Sequence, residues 1–169
     1  RAGTENMAGI AALGAVLQAL EEGRVFAPHA VLQAHRAVLA DALRDAFPGV
    51  VFNAPFETSL PTTLNFALPG VGAQDLIDLL DAAGVRVSGG SACGAARAEP
   101  SDVLLAMGLP PRQAASAVRL SFGAADSAAF VQQACARLRA CGEAARAGQL
   151  LDDAARAALE IDAPAVRQA

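Results

Sequence analysis

The chain has 169 residues and no lysine; all 13 basic residues are arginine. Chemistry that needs a lysine amine, such as a Schiff base, cannot be completed by these residues alone. Trp and Tyr are also absent, leaving seven Phe as the aromatic content. That removes the stacking platforms on which single-stranded nucleic acids are held. The net charge of −4 and the scattered arginines exclude a phosphate-backbone surface, so no nucleic-acid partner is expected. No apolar run reaches the roughly 20 residues of a membrane span, and no signal-peptide pattern opens the chain. Cysteine is scarce: Cys93, Cys135 and Cys141, an odd number at no framework spacing. This excludes a disulfide scaffold and points to free thiols in a reducing, cytoplasmic setting. The chain opens at Arg1 and runs directly into a helical pattern, so it reads as a piece of a longer polypeptide.

With 54% hydrophobic and 18% charged residues, the composition is that of a globular domain with a real core. Residues 5–22 read as a helix, with Ile10, Leu13, Leu17 and Leu20 in one apolar stripe. A second helix follows Pro28, with Leu32, Leu39 and Leu43 on one face, and Val50 to Phe52 is a short strand candidate. Residues 62–68 alternate: Leu64, Phe66 and Leu68 face one way, Thr63, Asn65 and Ala67 the other. A helix over 73–83 with Leu76, Ile77 and Leu80 inward follows, then a short strand over 85–87. A short helix opens at Pro100 and Ser101, and residues 117–122 alternate again, with Val118, Leu120 and Phe122 opposed to Arg119 and Ser121. Asp126 or Ser127 caps a long helix to about Arg146, with Phe130, Ala134, Leu138 and Cys141 in its stripe. This order predicts an α+β layer: a small mixed sheet with helices on one face, preceded by long helices.

The residue most suggestive of chemistry is Cys93, in the run Ser88-Gly89-Gly90-Ser91-Ala92-Cys93-Gly94-Ala95-Ala96. Its neighbours are too small to bury a sulfur, so it is either a reactive, travelling thiol or an exposed inert one. A phosphate cradle fails, since there is no Lys and no long helix follows directly. Cys135 and Cys141 lie on the apolar side of the last helix and are read as core. His29 and His35 are six apart, wrong for a metal pair on one helix face, and read as surface or half-buried.

The stretch Ser88-x-Gly-Ser-Ala-Cys93, followed by Glu99-Pro100-Ser101-x-Val103-Leu104-x-Ala106-x-Gly108-Leu109, resembles the NifS-like cysteine desulfurases of the class V aminotransferase fold group. Arg1-Ala2-Gly3-Thr4, Leu60-Pro61-Thr62-Thr63-Leu64-Asn65 and Val118-Arg119-Leu120-Ser121-Phe122-Gly123 are similar to further family segments in the same order. The resemblance spans residues 1 to about 141 and covers the C-terminal portion of a family member. It implies the small domain of a fold-type I pyridoxal-phosphate enzyme. Residues 1–24 would end the cofactor-domain segment and form a connecting helix, and residues 25–147 would be the small domain carrying the Cys loop. Residues 148–169 would be a helical tail or linker.

By that resemblance Cys93 is the nucleophile that takes sulfur from L-cysteine as a persulfide, releases L-alanine and passes the sulfur to an acceptor such as an iron–sulfur scaffold. Arg119 would bind the substrate carboxylate as a bidentate partner; by local pattern alone it is a surface salt-bridge residue. Thr4 would reach the cofactor phosphate of the neighbouring subunit in a homodimer; by local pattern alone it caps the first helix. The cofactor's anchoring lysine and most of its other ligands would lie upstream, so this chain alone is expected to be inactive. Two other readings are a cofactor-free persulfide carrier or interaction module, and a selenocysteine lyase-like or other enzyme of the same fold group.

Overall fold

The computed structural model describes residues 3–24, 26–89, 100–123 and 126–146. Cys93 and residues 148–169 lie outside the described residues. Helix α1, Met7–Glu21, is capped by Asn6, whose side chain accepts from the Gly9 amide at 2.9 Å. Thr4 is therefore not the cap; it is exposed ahead of the helix. The apolar stripe of α1 forms as the periodicity predicts, yet α1 buries no residue among those described. Met7 is 66% exposed and Leu17 53%.

Helix α2, His29–Ala46, leads to strand β1, Val51–Phe52, and strand β2, Thr63–Ala67. Helix α3, Ala73–Ala82, precedes strand β3, Ser88–Gly89. Two short helices, α4 (Asp102–Ala106) and α5 (Pro111–Ala115), lead into strand β4, Ala117–Ser121. Helix α6, Ala128–Arg146, follows. The third strand begins at Ser88 rather than at residue 85, and α5 has no counterpart in the sequence reading.

The four strands among the described residues run in the order β1-β2-β4-β3. Every described pairing is antiparallel, where a mixed sheet was expected. The reason is topological. Strands β2 and β3 run the same way, but β4 inserts between them and opposes both, so no parallel pair forms.

Alternation along β2 and β4 turns Leu64, Phe66, Val118 and Leu120 toward one face. Leu39 and Leu43 of α2, Leu76 and Leu80 of α3, and Val131, Cys135 and Leu138 of α6 complete this core. Each fully buried Leu or Phe contributes about 1.5–3 kcal/mol. Only the first half of the predicted α6 stripe is displaced: Phe130 is 54% exposed and Val131 takes the buried place, whereas Leu138 and Cys141 are buried as expected. Ser127 caps this end, its hydroxyl accepting from the Phe130 amide at 3.2 Å. Leu104, Ala114 and Ala117 form a small second cluster.

Arg36 of α2 is only 4% exposed. Its Nη2 donates to the Phe56 carbonyl at 2.7 Å, and its Nη1 to the Ser59 carbonyl and hydroxyl, both at 3.2 Å, and to the Leu60 carbonyl at 3.3 Å. The guanidinium also lies 4.8 Å from the Phe56 ring centroid. One side chain thus ties the β1–β2 connection to the helix layer. Arg36→Met keeps the stem but removes the donors from the half-buried Phe56 and Ser59 carbonyls. It is expected to cost roughly 3 kcal/mol, the worth of one or two hydrogen bonds to a charged group. Urea unfolding of the protein measures this; a loss below about 1 kcal/mol would show that the connection holds itself.

Candidate functional site

The alternation that sends Val118 and Leu120 into the core sends Arg119 and Ser121 to the opposite face, where both are exposed. Residues directly opposite on antiparallel strands point to the same face, with Cβ atoms about 4.5–5.5 Å apart. Arg119 stands opposite Asn65 on β2 and Ser88 on β3. Asn53 extends the row past β1, its amide donating to the Asn65 carbonyl at 2.9 Å. A polar row, Asn53–Asn65–Arg119–Ser88, therefore crosses the sheet on the face away from the main core.

Part of this row is locked by side-chain amides. Gln113 Nε2 of α5 donates to Asn53 Oδ1 at 2.7 Å, and Asn53 Nδ2 donates to Asn65 Oδ1 at 2.6 Å. Arg119 is different: among the described residues it forms no ion pair and no hydrogen bond through its side chain. Among the described residues, the surface salt bridge that its local pattern allowed is not made. An unpaired guanidinium in the middle of a polar row is a ready site for a carboxylate, which it can take bidentately.

The sheet also sets where the Cys loop starts. Ser88, beside Arg119, is five positions from Cys93. A span of that length reaches at most about 18 Å. Ser88 and Arg119 are thus brought together, and the chain leading to Cys93 departs from their side. Thr4 is not joined to this row by any hydrogen bond among the described residues.

The remaining candidates fall elsewhere. Cys135 and Cys141 are buried free thiols. Burial raises the Cys135 thiol, with Arg139 opposing, and pushes Cys141 up to about 11. Their Sγ atoms face the carbonyls of Val38 and Leu79 at 3.7 and 3.6 Å. Both are core residues and poor nucleophiles. His29 is exposed, whereas His35 is buried against Phe122, deeper than expected, because its turn of α2 faces the sheet. A cavity of about 390 Å³ lies on the helix side, lined by Leu120, Phe122, Phe130, Val131 and Arg137 among others; Arg119 does not line it. No helix among the described residues is long and apolar enough to cross a membrane.

The sequence reading missed Asn53, Asn65 and Gln113 as parts of the site. One signal was present: asparagine is depleted in strands, and Asn65 occupies the polar phase of β2. Nothing local connects it to Arg119, which is 54 positions away in the chain.

The described residues thus form an α+β layer with an antiparallel sheet, with Arg119 exposed on the side away from the main core. The chain belongs to the aminotransferase class-V family, whose model matches residues 1–133. Over 135 residues it is 42% identical to a Bacillus subtilis (strain 168) protein provisionally named cysteine desulfurase IscS 1, covering 79% of this chain and 35% of that protein. A cysteine desulfurase of Sinorhizobium fredii (strain NBRC 101917 / NGR234) is 39% identical over 121 residues, covering 72% of this chain and 31% of that protein. Among solved structures, one titled NifS-like protein aligns with a TM-score of 0.60 at 26% identity, over 83% of this chain and 34% of that one. The chain thus spans about a third of the length of the relatives it matches.

Proposed function

We propose that this chain is the C-terminal part of a pyridoxal-phosphate-dependent cysteine desulfurase. The observation that carries the reading is Arg119, exposed and without a side-chain partner among the described residues, in register with the strand that leads to Cys93. Arg119 takes the carboxylate of L-cysteine, which orients the substrate along the row. Cys93 then forms an S–S bond to the substrate sulfur as the Cβ–S bond breaks, and the carbon is protonated to give L-alanine. The run of Gly, Ser and Ala around Cys93 suits a thiol that must enter the site and then carry the persulfide to an acceptor protein, such as an iron–sulfur scaffold.

Pyridoxal phosphate supplies the electron sink that weakens the substrate's Cβ–S bond. This chain cannot anchor it, since no lysine is present, and the described polar row is suited to a carboxylate rather than to an aromatic ring. Its seat would belong to the remainder of the enzyme, and Thr4 would hold its phosphate across the interface of a homodimer. Two buried free thiols agree with a reducing, cytoplasmic setting.

Arg119→Gln tests the substrate role in the complete enzyme. Removing the charged donor is expected to lower kcat/KM for L-cysteine roughly 10- to 100-fold, mainly through KM, with cofactor absorbance unchanged. Unaltered kcat/KM would remove Arg119 from the substrate site.

A further inference from the structure

We infer that Asn65 is a second ligand of the substrate carboxylate, held in place by Asn53 and Gln113. This rests on the reading of Arg119 as the carboxylate site and adds to it a donor on the neighbouring strand. The support is the direction of the amide chain. Gln113 donates to Asn53, and Asn53 donates to Asn65, at 2.7 and 2.6 Å. Each of the two Asn carbonyl oxygens therefore takes one donor from the Gln113 side. The chain ends on Asn65 Nδ2, which has no partner among the described residues and is not sealed from solvent.

Asn65 is directly opposite Arg119 on the same open face. Two side chains that donate at their free ends, one of them cationic, thus stand side by side, and neither free end meets an acceptor among the described residues. A carboxylate has about four lone-pair sites, and a bidentate guanidinium uses two of them. The amide of Asn65 can fill a third. Asn53 is 7% exposed, so the middle of the chain is dry and its geometry is set by packing rather than by solvent. Asn53 and Gln113 touch no substrate in this arrangement. They are positioning residues that prevent the Asn65 amide from turning its oxygen toward the incoming anion.

The test is equilibrium binding, by calorimetry on the complete holoenzyme, of L-alanine and of ethylamine, which is the same amine without the carboxylate. Asn65→Ala is expected to weaken L-alanine roughly tenfold, the range for a hydrogen bond to a charged group, and to leave ethylamine unchanged. Asn65→Asp, nearly isosteric, sets an anion beside Arg119 and should weaken L-alanine further while again sparing ethylamine. Equal weakening of both ligands, or no change in either, overturns the inference. Arg119→Gln run in parallel separates the two levels. If it weakens L-alanine while both Asn65 variants do not, the carboxylate site stands and Asn65 is no part of it. If it too leaves L-alanine unchanged, the carboxylate site itself is wrong.

Discussion

Cys93→Ser in the complete enzyme is expected to abolish sulfur release from L-cysteine while cofactor binding survives. Serine has nearly the same shape, so the loop loses only the sulfur. A hydroxyl is scarcely ionised near neutral pH and cannot store sulfur as a persulfide, whereas a thiolate can attack the substrate sulfur and hold it. Loss of a nucleophile that acts as part of a unit lowers turnover on the order of 10³-fold or more. The other two thiols cannot replace it. Cys135 and Cys141 are buried in α6, and burial alone pushes Cys141 up to about 11, far from the thiolate at working pH. The measurement is sulfide and alanine formed per enzyme, with cofactor absorbance as the control for folding. Turnover above about a tenth of wild type would remove Cys93 from the nucleophile's place.

Gly142→Ala is expected to destabilise the protein by about 3 kcal/mol, the upper part of the range for overpacking a tight core. On an exposed helix the same change stabilises by up to about 1 kcal/mol, because Ala is the better helix former. Here the sign reverses. A Cβ at Gly142 would collide with the Ala46 carbonyl oxygen and lie 2.6 Å from the Ala46 Cα. Both are backbone atoms, so no side chain can swing aside. Either α6 moves off α2 or the last turn of α2 deforms. Either movement also disturbs the hydrogen bond at 2.6 Å from Arg146 Nη1 to the Ala46 carbonyl. Chemical or thermal unfolding of wild type and variant reads the difference. A gain in stability would mean that the two helices do not approach this closely in solution.

How much of this was legible in the chain depends on the range of the cause. Phe66 and Leu64 are buried as the period-two pattern of β2 requires, and Leu32, Leu39 and Leu43 as the α2 stripe requires. Those assignments need only local geometry. In the first two turns of α6 the apolar residues fit two stripes one position apart, and packing against α2 selects Val131 and Cys135 over Phe130 and Ala134; the two stripes merge at Leu138 and Cys141, which are buried as expected. The stripe of α1 was read correctly as apolar, but periodicity states that a face seeks burial and not what covers it. His35 was set too shallow for the converse reason: a polar side chain carries no local mark of the sheet that will pack over it.

By itself, the sequence determined the elements with clear periods, the side of β4 on which Arg119 stands, and the small-residue setting of Cys93. All three follow from alternation, helical repeat or side-chain size within a few residues. Only the tertiary structure decided that β4 lies between β2 and β3, because strand order is set by packing of the whole sheet on its helices. That placement puts Asn65 and Ser88 on either side of Arg119 and leaves its charge without a partner among the described residues. An arginine that local pattern would pair with a surface carboxylate becomes the open centre of a polar row, because its neighbours come from strands far away in the chain.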